Sequence, residues 1–143
     1  MILKDITKDE SSTIEQWLKN DLAGRQFIAD YENTDLIFKL IGANRKFLLA
    51  YDNEIAIGFI DLEIDDDKGY FSFYVAPNFR AKGFSVRLLD LLEKEATEYS
   101  VKSLFGHVEL ENIASIKSLQ KAGYLQSQNL DKDGLLVFSK ELR

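Results

Sequence analysis

Residues 71–92 constrain the fold most, because they predict a buried strand, a cationic turn and an amphipathic helix in immediate succession. The strand is rich in aromatic and β-branched residues, and it ends at Pro77, the only proline of the chain, which has no N–H for a sheet ladder. After the turn, leucines at 88, 89, 91 and 92 recur at helical spacing. The segment therefore predicts a strand and a helix joined tightly through residues 80–85.

That turn has the composition of a phosphate-binding site. The first N–H groups of a helix lack internal partners and carry partial positive charge, and a glycine lets backbone approach an anion closely. Arg80, Lys82 and Arg87 add full positive charge around Gly83. An ordinary strand–helix connection with solvated basic residues explains the pattern equally well, and the spacing does not identify a particular phosphate.

Composition limits the class of protein. A chain of 143 residues with 45% hydrophobic and 29% charged residues predicts one globular domain over residues 1–143. The absence of cysteine excludes disulfides and thiol nucleophiles, and it fits the reducing cytoplasm, which is the compartment that we expect. The net charge of −6 argues against nonspecific nucleic-acid binding and favours a cationic partner.

Neither a membrane segment nor a metal site is expected. The N-terminus mixes charged with apolar residues, unlike a signal peptide, and the longest apolar runs are about six residues. The acidic run at residues 65–67 does not fit a calcium-binding loop. A loop that starts at Asp65 has Ala76 at its twelfth position and one that starts at Asp61 has Ser72, where a glutamate is needed. We interpret the run as a solvated hairpin tip.

The N-terminal half predicts two helices and three strands. Ser12 and Glu15 have the spacing of a capping box for a first helix that ends near Gly24. A second helix is expected over residues 33–41, ended by Gly42, and strands over residues 2–6, 46–51 and 55–64. The predicted inward-facing residues are Ile14, Trp17, Leu18 and Leu22 in the first helix and Leu36, Ile37, Leu40 and Ile41 in the second.

The C-terminal half predicts two further helices, over residues 85–99 and 112–122, around a strand over residues 103–110. A final hairpin is expected from residues 124–128 and 135–142, with Asp133 and Gly134 in its turn. Asp52 and Asn53 predict a second hairpin turn, between the strands 46–51 and 55–64.

Two motifs resemble those of the GNAT family of N-acetyltransferases. The acetyl-coenzyme A signature of that family is an apolar strand that ends near a proline, then Arg or Gln, two residues, Gly, one residue, and Gly or Ala. Arg80 and Gly83 match it, while Ser85 stands where a smaller residue is usual. The second family pattern is Asn, two residues, Ser or Ala, a helical run, and Gly before an aromatic residue. The matching residues are Asn112, Ser115, Gly123 and Tyr124, about 30 residues after the first motif.

The resemblance covers roughly residue 46 to the C-terminus, and it implies an α+β fold with a mixed, mostly antiparallel central sheet flanked by helices. It also implies that acetyl-coenzyme A binds with its pantetheine arm along the strand of the first motif, like an added strand, and that its thioester lies near the gap between Val75 and Val108. The implied cofactor-binding residues are Phe73, Tyr74, Val75, Arg80, Ala81, Lys82, Gly83, Phe84, Ser85, Asn112 and Ser115.

The sequence identifies the general acid and the general base less clearly than the cofactor-binding residues. Many family members have a tyrosine seven residues after the motif asparagine to protonate the departing thiolate, but this chain has Leu119, so water or Ser118 would have to serve. A protonated amine needs a base. We name His107, the only histidine, and Glu63 as the catalytic candidates, with Asp61 and Glu109 as rivals. A half-buried strand histidine without a catalytic role is the alternative for His107.

The resemblance predicts acetyl transfer from acetyl-coenzyme A to a primary amine, on a small molecule or a protein N-terminus, by direct attack in a ternary complex. A cationic acceptor fits the acidic composition, and the sequence leaves a homodimer open. Two alternatives remain at this point: a non-catalytic acyl-coenzyme A sensor or interaction module on the same fold, and a different enzyme of phosphate-bearing ligands that uses the same turn.

Overall fold

The computed structural model describes residues 1–143, apart from the side chains of residues 25, 29 and 30. Within this part of the chain, seven strands form one sheet and four α-helices flank it. The strands are β1 (Ile2–Asp5), β2 (Arg45–Asp52), β3 (Ile55–Asp65), β4 (Lys68–Val75), β5 (Ser103–Val108), β6 (Leu125–Gln126) and β7 (Leu136–Glu141). The helices are α1 (Ser11–Lys19), α2 (Thr34–Leu40), α3 (Phe84–Glu98) and α4 (Ile113–Lys121).

The sheet has the order β1-β2-β3-β4-β5-β7-β6 and is antiparallel except where β4 pairs with β5. Because α3 connects β4 to β5, the chain returns to the same end of the sheet before β5 begins, and the two strands run parallel. The predicted fold class, a mixed and mostly antiparallel sheet flanked by helices, is confirmed.

Each face of the sheet covers its own hydrophobic core. Leu88, Leu92 and Leu119 of α3 and α4 pack on one face, which we call the α3/α4 face. Ile14 of α1 and Ile37 of α2 pack on the other, the α1/α2 face. Alternate residues of a strand point to opposite faces, so the long central strands are buried on both sides and read as nearly continuous apolar runs.

The β2–β3 hairpin confirms the turn predicted at Asp52. Asn53 and Glu54 have φ angles of 49° and 70°, the positive values that a two-residue turn of this type requires at both central positions. Asparagine tolerates that conformation better than most residues. The turn pairs Asp52 with Ile55, and a β-bulge between Ala50 and Tyr51 then shifts the register by one residue, which brings Asp61 opposite Phe47.

The start of α1 differs from the prediction. The capping box is formed by Thr7 and Glu10, in a 3-10 turn that leads directly into α1 at Ser11. Glu15, the predicted cap residue, instead accepts a hydrogen bond of 2.7 Å from the hydroxyl of Thr34 at the start of α2. The earlier Thr-x-x-Glu spacing fits the same rule.

The inward faces of α1 and α2 are narrower than predicted. Helix α1 ends at Lys19, before Gly24, and Leu22 is 86% exposed because it lies beyond the last turn. In α2, which is only seven residues long, Ile37 is buried whereas Leu36 and Leu40 are exposed. Among the helices that the structure describes, none combines the length and hydrophobicity of a transmembrane span.

The C-terminal elements agree with the predicted order. Asn112 caps α4 by accepting from the N–H of Ser115 at 3.3 Å. The final hairpin has a very short first strand, β6, and its loop is closed by a hydrogen bond of 3.1 Å from the N–H of Gly134 to the carbonyl of Asp131. Asp133 and Gly134 therefore lie in a turn, as predicted.

Candidate active site

The parallel strands β4 and β5 separate before either one ends. Their pairing runs from Lys68 opposite Ser103 to Phe71 opposite Gly106, although β4 continues to Val75 and β5 to Val108. A gap therefore opens in the middle of the sheet. At its base, a Cβ on Gly106 would lie 3.0 Å from the ring of Phe71, so a larger residue at 106 would crowd that ring.

Backbone groups of β4 face this gap without a strand partner. The N–H of Ala76 donates to the carbonyl of Ile57 on β3 at 2.8 Å. Backbone groups alternate in direction along a strand, so those of Phe73 and Val75 point away from β3 and into the gap. The carbonyl of Val75 accepts from Nε of Arg80 at 2.9 Å. The N–H of Val75 and both backbone groups of Phe73 are thus available to an extended ligand.

The turn before α3 contains several backbone N–H groups without a backbone partner. Ala81 and Gly83 have φ angles of 61° and 80°, and Gly83 is the N-cap of the 15-residue helix α3. In the part of the chain that the structure describes, the backbone N–H groups of residues 81–86 donate to no other backbone group outside α3. Successive N–H groups in such a turn, together with the helix dipole, form a concave anion-binding surface.

Arg80 does not face this surface freely. Its two Nη atoms bond the carboxylate of Asp21, at 3.1 and 2.6 Å, while Nε holds the Val75 carbonyl. Asp21 is 4% exposed and also accepts from the hydroxyl of Tyr74 at 2.8 Å and from the N–H of Gly24 at 2.9 Å. Burial disfavours the charged carboxylate, but these hydrogen bonds, led by that from Arg80, outweigh it and lower the pKa of Asp21.

Sequence reasoning missed Asp21. No motif marks it, because its partners lie 53 and 59 residues away along the chain. The signal that could have found it is an acid three residues before Gly24, a spacing at which an aspartate side chain can accept from the glycine N–H. The other cations near the turn have weaker contacts: Arg87 lies 3.6 Å from Asp52, and Lys82 lies 6.0 Å from the ring centroid of Phe79.

A groove of about 630 Å³ connects the turn to the gap. Ala23 and Phe27 of the loop after α1 line one side of it, and Asn112 and Ser115 at the start of α4 line the other. The predicted cofactor-binding residues are brought together here. Those that line the groove are Phe73, Tyr74, Val75, Arg80, Ala81, Gly83, Phe84, Ser85, Asn112 and Ser115; Lys82 is not among them.

Helices α3 and α4 are linked across the groove by two serines. The Oγ atoms of Ser85 and Ser118 lie 2.7 Å apart, and Ser118 donates to the carbonyl of Ala114 at 3.0 Å. Since Ser118 has a single hydroxyl hydrogen, Ser85 is then the donor between the two. The slightly larger residue at the last position of the first motif thus serves as a contact between helices.

A smaller cavity of about 70 Å³ lies in the gap itself. His107 of β5, Glu109 just after that strand, Ser72 and Phe73 of β4, and Leu119 of α4 line it. Burial raises the pKa of Glu109, against the opposing effect of hydrogen bonds that include one from the Asn112 side chain. Two titratable groups, one imidazole and one carboxyl, therefore meet where an extended ligand in the groove would end.

His107 has a specific partner. Its Nδ1 lies 2.7 Å from Oδ2 of Asp131, in the loop before β7. Its side chain is 37% exposed. The ring is therefore oriented by a carboxylate while its other nitrogen remains available, a contact that the sequence did not predict.

Glu63 and Asp61 lie outside the lining of the gap. Glu63 is 59% exposed and its carboxylate contacts Nη1 of Arg45 at 3.3 Å. Asp61 is buried and accepts two hydrogen bonds of 2.6 Å from Arg45 and one of 2.8 Å from Tyr31. Asp61 is thus bonded on both oxygens, and the structure brings His107 together with Glu109 rather than with Glu63.

The position of the frequent family tyrosine is part of the core. Leu119 is 0% exposed and packs in the cluster of the α3/α4 face. Ser118, the residue before it, lines the groove but uses its hydroxyl hydrogen on Ala114. No acidic side chain therefore replaces the tyrosine at this point of α4.

Comparison with known proteins identifies the family. A family model described as the acetyltransferase (GNAT) family matches residues 8–124. The chain belongs to the GNAT family. The match includes both motifs, the turn before α3 and the start of α4, and it confirms the resemblance read from the sequence.

Individual relatives agree with this assignment. The chain is 30% identical over 91 residues to the uncharacterized N-acetyltransferase YfmK of Bacillus subtilis, an alignment that covers 63% of this chain and 62% of that protein. It thus spans less than two thirds of that relative's length.

The fold recurs in solved structures. One is the aminoglycoside acetyltransferase AAC(6')-Ib in complex with coenzyme A and kanamycin, with a TM-score of 0.83, 16% identity and coverage of 97% of this chain and 93% of that one. Another is spermidine N-acetyltransferase from Vibrio cholerae in complex with coenzyme A and spermine, with a TM-score of 0.80, 18% identity and coverage of 98% and 94%. At these identities the likeness establishes the fold.

Proposed function

We propose that the protein transfers an acetyl group from acetyl-coenzyme A to a primary amine, on a small molecule or a protein N-terminus, by direct attack in a ternary complex. The observation that carries the proposal is the separation of β4 from β5 beyond Phe71 and Gly106. This separation opens one continuous groove, which runs from the proposed anion-binding turn to the cavity that contains the titratable groups.

The donor would lie along that groove. Its pyrophosphate would accept from the free N–H groups of residues 81–86, and the pantetheine amides would pair with the backbone of Phe73 and Val75 in the manner of an added strand. The groove is lined mainly by apolar atoms, which suits the thioester end and the pantetheine methyl groups. Two solved structures of this fold contain bound coenzyme A, which supports coenzyme A as the carrier of the acyl group.

The chemistry follows from the groups in the gap. A neutral amine attacks the thioester carbon, and the N–H of Phe73, which lines the gap, would donate to the developing oxyanion. His107 would take the proton that the amine loses, directly or through one water. The leaving thiolate is a fairly stable anion, so water can protonate it, which is consistent with Leu119 in place of a tyrosine.

The test is acetyl transfer itself. The protein is incubated with acetyl-coenzyme A labelled in the acetyl group and with a panel of polyamines, aminoglycosides, amino acids and peptides with free N-termini, and labelled products are identified by mass spectrometry. Calorimetry with coenzyme A, ATP and NAD measures ligand choice separately. Binding of ATP or NAD without binding of coenzyme A would overturn the proposal.

A second candidate function is acyl-coenzyme A sensing without turnover. The buried Leu119 and the occupied hydroxyl of Ser118 favour it, because neither supplies an acid to the leaving group. Tight binding of acetyl-coenzyme A without transfer to any amine of the panel would support the sensor and exclude the transferase.

A further inference from the structure

We propose that Asp131 is a positioning residue that holds His107 with its hydrogen on Nδ1, so that Nε2 faces the thioester gap as the proton acceptor. The inference rests on the proposed acetyl transfer and assigns a role to a loop that the motifs do not reach. Asp131 lies 24 residues from His107 in the sequence, outside both family motifs.

The contact between the two side chains is short and directional. Nδ1 of His107 lies 2.7 Å from Oδ2 of Asp131. An ionised carboxylate accepts hydrogen bonds and donates none, so the imidazole must carry a hydrogen on Nδ1 to make this contact. In the neutral ring the lone pair is then on Nε2, on the far side of the ring from Asp131.

The carboxylate of Asp131 is itself fixed. Its Oδ1 accepts the N–H groups of Asp133 at 2.8 Å and Leu135 at 2.9 Å, and its own N–H donates to the carbonyl of Leu135 at 2.9 Å. The Leu135 N–H above all, then the contact with His107, lowers the pKa of Asp131, so the group is ionised at neutral pH. One oxygen thus anchors the loop while the other faces the imidazole.

The strand register places this loop beside the gap. Val137 on β7 is opposite His107, and Leu136 is opposite Val108. The turn from Asp131 to Gly134 therefore closes immediately before the strand that borders β5. Glu109 is the other titratable group in the lining of the gap, and it is bonded to Asn112 rather than to the imidazole.

This arrangement makes Asp131→Asn a sharp test. Two backbone N–H groups point at Oδ1, so the carboxamide oxygen must occupy that position, and the NH₂ group then faces His107. Nδ1 must become an acceptor, the hydrogen moves to Nε2, and the lone pair that receives the amine proton is lost. The loop keeps its cap, so the variant is expected to fold normally.

The first readout is the tautomer. Because His107 is the only histidine, its ring nitrogens give one unambiguous set of ¹⁵N signals. We expect the neutral wild-type ring to carry hydrogen on Nδ1 and the Asp131→Asn ring to carry it on Nε2. Asp133→Asn is the matched control, because it makes the same charge change in the same turn while only its backbone contacts Asp131.

The second readout is turnover on whichever amine the panel identifies. We expect kcat of Asp131→Asn to fall roughly a hundredfold, as for loss of a general base, with the Kd for acetyl-coenzyme A unchanged. Asp131→Glu should recover part of the rate, and Asp133→Asn should match the wild type.

The outcomes separate the two proposals. An active wild-type protein whose Asp131→Asn variant keeps its kcat, or keeps the Nδ1 hydrogen, overturns the role of Asp131 and leaves acetyl transfer standing. Full turnover by His107→Ala does the same. A wild-type protein that acetylates no amine overturns the proposed function, and the role of Asp131 with it.

Discussion

Arg80, the arginine of the cofactor signature, forms an ion pair of 2.6 Å with the buried carboxylate of Asp21 from the loop after α1. The same loop provides Ala23 and Phe27, which line the far side of the groove. The pair therefore fixes the distance between the turn that would hold the pyrophosphate and the segment that faces it. In this structure the guanidinium organises the groove wall, and the groups of the turn that we propose to bind an anion are its backbone N–H groups.

Breaking this pair should destabilise the protein. Asp21→Ala removes the acceptor of both Nη atoms of the partly buried Arg80 and of the Tyr74 hydroxyl, and we expect a loss of roughly 2–3 kcal/mol in the free energy of unfolding. Lys94→Ala is the control, since Lys94 pairs with Asp90 on the exposed surface of α3 at 72% and 64% exposure. It should cost about 0.5 kcal/mol or less. Urea denaturation measures both, and equal losses would show that the Asp21 network contributes nothing beyond a surface pair.

The contribution of Asp21 should disappear in acid. Its pKa is lower in the folded protein than the ordinary 3.8, so the unfolded chain binds its proton first as the pH falls. The stability it supplies is complete above the ordinary value and is lost as the pH falls through the lower folded value. The difference in unfolding free energy between wild type and Asp21→Asn should therefore be constant from pH 7 to about 5 and shrink towards pH 3. A difference that stays constant across this range would contradict the assignment.

The role of the turn can be tested with two matched glycines. Gly83 and Gly134 both have φ of 80°, and a Cβ on either would meet no atom within 4 Å. Alanine at each position should thus cost a similar amount, about 1 kcal/mol, from backbone strain. Only Gly83→Ala would place a methyl group on the anion-binding surface, and we expect it to weaken coenzyme A binding at least tenfold in calorimetry while Gly134→Ala leaves the affinity unchanged. Equal affinities of the two variants for coenzyme A would show that the pyrophosphate does not bind at this turn.

The sequence predicted the elements that form the groove well and the contacts between distant elements poorly. The turn before α3 follows from local rules, because the strand, the glycine and the helix are consecutive in the sequence. The start of α4 also follows from a local rule, because Asn112 caps its own helix. Leu22 was misplaced because helical periodicity does not show where a helix ends. The partners of Asp21 and of His107 come from distant elements, and only the register of the sheet and the path of the loops bring them within hydrogen-bonding distance.

The choice between His107 and Glu109 as base can be decided by substitution. Both line the gap, and burial raises the pKa of Glu109, which makes its carboxylate a stronger base than an ordinary one. Only His107, however, is oriented by a carboxylate, that of Asp131, which leaves one ring nitrogen to accept the proton. We expect Glu109→Gln, which keeps an oxygen for Asn112, to retain turnover within about fivefold, and His107→Gln to lose roughly a hundredfold.

The thermal stability of Glu109→Gln tests the raised pKa of Glu109 independently of turnover. A raised folded pKa means that ionisation opposes folding, so Glu109→Gln should have the higher melting temperature at pH 7, and this advantage should vanish below the ordinary value of 4.5, where the carboxyl is neutral in both states. A Glu109→Gln variant that loses activity as completely as His107→Gln would instead make the carboxylate part of the proton path, with His107 acting through it.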